Sequence, residues 1–133
     1  MEVENTEYKD FKVLVVDDNE EARIIIRKSL TGIGVEQIFE SENGQDAISK
    51  LMLGPVDLVI SDWRMPGMTG IELYRTARNE KLLVSTEFLL VSAENEKEKI
   101  IEALKEGIRH YIVKPIDIAV LKEKIKELLP NSS

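Results

Sequence analysis

The sequence predicts an α/β fold, a parallel sheet covered on both faces by helices. Three observations predict it. Five short apolar runs alternate with five segments whose apolar residues recur at helical spacing. Gly, Pro, Asn and Asp punctuate the boundaries between them. Three of the runs end on charged side chains: Val13 to Val16 on Asp17 and Asp18, Leu58 to Ser61 on Asp62, and Tyr111 to Val113 on Lys114. Near-continuous apolar runs suit strands buried on both faces, and in an open parallel sheet the carboxyl edge of the strands is where ligands bind.

The elements follow in order. Residues 1–10 are polar and are expected to form a flexible N-terminal segment. Phe11 to Val16 reads as the first strand. Glu20 to Thr31 reads as a helix with Ala22, Ile25, Ile26 and Leu30 facing inward and Ile24 outward, stopped by Gly32 and Gly34. Val35 to Phe39 reads as the second strand. Gln45 to Leu53 is a helix facing in through Ala47, Ile48, Leu51 and Met52, closed by Gly54-Pro55. Asp57 to Ser61 is the third strand, and Gly70 to Arg78 a helix packing through Leu73, Tyr74 and Ala77. Phe88 to Val91 is the fourth strand. Asn95 is placed to cap the next helix, with Glu98 completing a capping box and Ile100, Ile101 and Leu104 as its inner face. His110 falls in the turn before the fifth strand, Tyr111 to Val113. Asp117 caps a last helix with Ile118, Leu121, Ile125 and Leu128 inward. Residues 11–129 thus make one domain, and 130–133 a tail. Right-handed crossovers leave chiefly the Rossmann-like and flavodoxin-like strand orders.

Composition narrows the function. The chain has 133 residues, enough for one core, and 43% of them are hydrophobic. It has no Cys, which excludes disulfides and thiolate metal sites. A net charge of −7 without a basic, aromatic-rich patch argues against direct binding to nucleic acid. No apolar stretch is long enough to insert in a membrane, so a cytoplasmic location is expected. A dinucleotide fingerprint fails at Gln37, and the single histidine, His110, gives no support for a His-based metal site or a Ser-His-Asp triad.

Asp17, Asp18, Asp62 and Lys114 converge on one sheet edge. Each Asp alone could be a cap or turn former. Together, three carboxylates raise one another's pKa unless a cation joins them. A hard divalent ion with oxygen ligands answers this. Mg2+ fits best, with Mn2+ as a substitute, and with Lys114 it brings the cluster to formal neutrality. Asp62 is the natural nucleophile for aspartyl-phosphate chemistry, and the metal and Lys114 would stabilise charge on a transferring phosphoryl group.

These features resemble the receiver domain of two-component response regulators, among them the single-domain chemotaxis regulators. The resemblance spans roughly residues 10–129 and rests on Asp17-Asp18, on Asp62 to Gly70, on Ser92-Ala93-Glu94 and on Lys114-Pro115. It implies a flavodoxin-like (βα)5 three-layer sandwich with strand order 2-1-3-4-5. It also implies Asp62 as phosphoacceptor, and Asp18, Asp62 and the Arg64 backbone carbonyl as direct metal ligands, with Asp17 acting mainly through water. Ser92 and Lys114 would contact the phosphoryl oxygens, with a cis bond between Lys114 and Pro115. Ser92 and Tyr111 would be the switch residues, and Arg64 and Glu94 modulators of phosphate lifetime. The implied partners are a histidine kinase or histidine phosphotransfer protein, and an output protein that docks on the face of the fourth helix, fifth strand and fifth helix. A monomer is expected, with self-phosphorylation and slow autodephosphorylation as its only chemistry. A phosphorelay intermediate and an isolated receiver of a larger regulator are the alternatives. A haloacid-dehalogenase-type phosphatase would need an Asp where Arg64 stands.

Overall fold

A computed structural model describes residues 8–93 and 97–129. The elements are β1 (Lys12–Val16), α1 (Glu20–Gly32), β2 (Gln37–Ser41), α2 (Gly44–Leu53), β3 (Leu58–Asp62), α3 (Gly70–Asn79), β4 (Glu87–Ser92), α4 (Lys97–Glu106), β5 (His110–Val113) and α5 (Ile118–Leu128). All four strand pairings are parallel, and the order is β2-β1-β3-β4-β5. This is the three-layer, flavodoxin-like arrangement that the resemblance implies.

Strand alternation divides the core. Val13, Val15, Leu58, Ile60, Leu89 and Val91 point toward Ile26 and Leu30 of α1 and Leu121 and Ile125 of α5. Leu14, Val16, Val59 and Leu90 point the other way, toward Ala47 and Leu51 of α2, Leu73 and Ala77 of α3 and Ala103 of α4. Both faces of the central strands are therefore dry, which is why their sequences read as unbroken apolar runs. Each fully buried Leu or Ile contributes about 1.5–3 kcal/mol by leaving water.

Several expectations need correction. The second strand begins at Gln37, two residues later than Val35. Val35 is buried, but as part of a helix terminus: its N–H donates to the Leu30 carbonyl at 3.0 Å and that of Gly34 to Thr31 at 3.1 Å. Gly34 has φ 103°, so the pattern is a Schellman motif with Val35 as its apolar plug. Residues 8–10 are not a loose lead-in. Tyr8 is buried in the α1/α5 half of the core, its ring centroid 5.9 Å from that of Phe11. Ile25, Met52, Ile101, Leu104 and Ile118, all expected inside, are exposed, while Ile24 is half-buried. In α4 only Ala103 is buried. His110 is the first residue of β5 and not of a turn, with its Nε2 3.5 Å from a Glu87 carboxylate oxygen. Asn95 lies outside the described residues.

Candidate functional site

The carboxyl edge of the sheet is fixed by backbone bonds that run one step past the strands. The Asp17 N–H donates to the Ser41 carbonyl at 3.1 Å, Trp63 to Val91 at 2.8 Å, and Lys114 to Ser92 at 2.7 Å. The first side chains beyond the regular ladder are thus held by the sheet itself.

On this edge carboxylate oxygens of Asp17, Asp18 and Asp62 lie within 4.8 Å of one another. Asp17 is 1% exposed and Asp62 8%, whereas Asp18 faces solvent. The Asp17 Oδ1 accepts from the Asn19 N–H at 2.9 Å, and Asn19 in turn caps α1 by accepting from the Ala22 N–H. The Asp17 Oδ2 is buried with no hydrogen-bond partner and sits 3.7 Å from the Lys114 Nζ. The same ammonium lies 3.3 Å from the Asp62 Oδ1. The Lys114-Pro115 peptide bond is cis, as the resemblance implies.

Burial pushes the Asp62 carboxyl up to about 6, with the neighbouring Asp17 charge adding to the rise and Lys114 opposing it. Asp17 is raised as well, chiefly by burial, against the Asn19 N–H and Lys114. A positive charge placed among them would satisfy the orphaned Oδ2 and favour the ionised form of both buried carboxyls. The donor set is all oxygen, so the residues present fit a hard divalent ion.

The neighbouring segments match the same frame. A model of the response regulator receiver domain family matches residues 13–126. The chain belongs to that family. Receiver domains are signalling modules, not enzymes of metabolic turnover. This receiver domain is 41% identical over 117 residues to the chemotaxis protein CheY of Pseudomonas aeruginosa, covering 88% of this chain and 94% of that one. It is 39% identical over 120 residues to CheY-3 of Vibrio cholerae, covering 90% and 92%. Among solved structures, CheY4 of Vibrio cholerae superposes with a TM-score of 0.81 at 29% identity, covering 90% of this chain and 98% of that one.

The receiver domain places the other candidate residues as follows. Ser92 ends β4, fully buried, with an Oγ that has no hydrogen-bond partner. Tyr111 is 41% exposed on β5. Arg64 is exposed, its guanidinium 5.8 Å from the centre of the Trp63 ring, and the Lys99 Nζ lies 5.0 Å from the same ring. Glu94 lies outside the described residues. No helix among the described residues is long and apolar enough to cross a membrane.

Sequence reasoning missed two residues. Gly70 is buried at the start of α3, where an added Cβ would stand 2.5 Å from the Asp62 carbonyl oxygen. Its signal was legible: Thr69 and Glu72 form a capping box, which marks Gly70 as a helical position filled by a poor helix former. Arg23 is the other. Its Nη1 donates to the Asp17 carbonyl at 2.6 Å, and no sequence pattern announces that contact.

Proposed function

We propose that this receiver domain accepts a phosphoryl group on Asp62 and converts it into a change of surface for a protein partner. The donor is the phosphohistidine of a histidine kinase or histidine phosphotransfer protein. The Asp62–Lys114 contact at 3.3 Å, beside two further carboxylates, carries this reading. A carboxylate raised to about 6 is a stronger nucleophile than an ordinary aspartate and is still mostly ionised at neutral pH. As the P–O bond forms to an Asp62 oxygen, the P–N bond to the imidazole breaks. The leaving nitrogen keeps the electron pair and takes a proton from solvent. Lys114 holds charge on the transferring oxygens. Asp17, Asp18, Asp62 and the Arg64 carbonyl would hold Mg2+, or Mn2+ in its place, which when bound supplies charge neutralisation to the same oxygens.

Phosphorylation takes the Asp62 side chain from one negative charge to about two and adds strong acceptors. The unpartnered Ser92 hydroxyl would donate to one of them. Its movement vacates space toward β5, into which the ring of Tyr111 can turn. Around Tyr111 the surface carries exposed Ile101, Leu104, Val113, Ile118 and Val120, an apolar area that suits an output protein on the α4–β5–α5 face. The named relatives support a chemotaxis-type pathway and a cytoplasmic location.

Trp63, next to Asp62, reports the test. Its fluorescence should respond to Mg2+ and then to beryllofluoride, a phosphoryl mimic, in the wild type and to neither in Asp62→Asn. A wild type indifferent to both rules out the phosphoacceptor role. We assign Arg64 and Glu94, two residues beyond Asp62 and Ser92 in sequence, to the control of phosphate lifetime through the access of attacking water. Arg64→Ala should then lose phosphate several-fold faster, and an unchanged decay of the labelled aspartyl phosphate would remove Arg64 from that role.

A further inference from the structure

We propose that Arg23 is a positioning residue of the acidic site: by gripping the Asp17 carbonyl and the Glu40 carboxylate together, it aims the Asp18 carboxylate and thereby sets the affinity for a divalent cation. The inference rests on the cation site proposed above and goes beyond it, since Arg23 touches neither the ion nor the phosphoryl group.

The geometry is specific. The Arg23 Nη1 donates to the Asp17 backbone oxygen at 2.6 Å, while its Nε donates to the Glu40 Oε1 at 3.2 Å. Glu40 is held from the other side by the Arg27 Nη1 at 2.7 Å. Its neighbour in β2, Ser41, accepts from the Asp17 N–H at 3.1 Å. Asp17 is therefore anchored to β2 at its N–H directly and at its carbonyl through Arg23. A planar guanidinium with fixed donor directions can make both contacts at once, which an ammonium cannot do equally well. The Arg23 side chain is 15% exposed, against 43% for Arg27, so this pair is shielded from water on the Arg23 side.

The consequence falls on Asp18. The peptide from Asp17 to Asp18 is rigid and planar, so fixing its carbonyl direction fixes where the Cα of Asp18 starts. Asp17 is immobilised by burial, and Asp62 by its place in β3. Asp18 is exposed, and it is the member of the trio whose direction depends most on the loop backbone. A positioning role and a role as a nearby charge predict opposite effects on cation binding.

That distinction gives the test a sign. If Arg23 acted only as a nearby cation, removing it would make the site more negative and tighten Mg2+ binding. If it positions Asp18, removing it weakens binding. Full-length wild type, Arg23→Ala and Arg23→Lys are titrated with Mg2+ by Trp63 fluorescence, and amide exchange of Asp18 and Asn19 is measured by NMR without metal. Partners that orient metal ligands from behind are typically worth about 10–100-fold in affinity, so Arg23→Ala should raise the Mg2+ Kd about tenfold or more and speed exchange of both amides. Arg23→Lys should fall between the two. Unchanged or tighter binding by folded Arg23→Ala overturns the proposal. Should Arg23→Ala fail to fold, Arg23→Lys decides alone: a loss of about threefold or more supports the role, and a smaller one overturns it. A wild type that ignores Mg2+ sinks the cation site and this inference with it. A wild type that binds no better than Arg23→Ala sinks the inference alone.

Discussion

Asp62→Asn should make the metal-free protein more stable at neutral pH, by about 1–3 kcal/mol, while abolishing its response to Mg2+. The Asp62 carboxyl is raised from 3.8 to about 6 by burial and by Asp17. Its folded pKa is above its unfolded one, so the protonated form favours folding. That contribution is complete below about pH 4 and is lost as pH rises through about 6. Asn carries no such burden. The stability difference between mutant and wild type, read from urea unfolding in a chelator, should therefore be small at pH 4 and grow to its plateau by pH 7.5. Saturating Mg2+ should close or reverse the gap, adding about 2.7 kcal/mol to the wild type at a hundred times its Kd. A gap that does not change between pH 4 and 7.5 would show that Asp62 is not buried as an anion. The low exposure of Asp62, 8%, is what makes the effect large; an exposed carboxylate with the same neighbours would lose most of it to solvent screening.

Gly70→Ala is expected to destabilise the domain by about 1–3 kcal/mol, although alanine is the better helix former by about 1 kcal/mol. The clash outweighs the propensity. The new Cβ would stand 2.5 Å from the Asp62 carbonyl oxygen and 2.9 Å from a Leu90 methyl. The first neighbour is backbone and cannot rotate away, so α3 or the end of β3 must shift. Mg2+ binding should weaken along with stability, because the carbonyl that is pushed belongs to Asp62. Gly54→Ala is the control. Gly54 is extended, and nothing lies within 4 Å of an added Cβ, so unfolding should change by no more than about 0.5 kcal/mol. Equal effects at the two positions would mean that the close approach at Gly70 is not what matters.

Local chemistry explains which parts of the fold were legible. The strand ends at Asp17, Asp62 and Lys114 were readable because burial on both faces writes itself as an unbroken apolar run, and a charge that stops such a run is conspicuous. Val35 misled because an apolar residue after a glycine can open a strand or plug a helix terminus, and only the hydrogen bonds to Leu30 and Thr31 separate the two. Tyr8 was hidden by its polar neighbours. Ile101, Leu104 and Ile118 carry the periodicity of a buried face but lie on the surface, since periodicity records which side of a helix is apolar and not what covers it. In the site, the residue types were legible and the backbone was not. Arg23 acts on a carbonyl and leaves no pattern in sequence, while Gly70 acts by having no side chain and is marked only indirectly, by the capping box of Thr69 and Glu72.

The small residue at the centre of α4 has a consequence for how cheaply this molecule can move. A helix pinned by several large buried side chains must break many close contacts before it shifts. Ala103 is the only buried side chain of α4, and its removal from contact would cost little compared with a leucine. The sheet edge carrying Asp17 and Asp62 is held by burial and backbone hydrogen bonds, whereas α4 is held by one small buried side chain and by Arg75 and Arg78 on Glu106. A local charge change of a few kcal/mol would hardly deform the first, yet it is commensurate with the cost of relocating the second. Under the proposed function, an input fixed in the sheet and an output carried by so lightly anchored a helix would let a modest chemical event be spent on displacement instead of being absorbed as strain where it occurs.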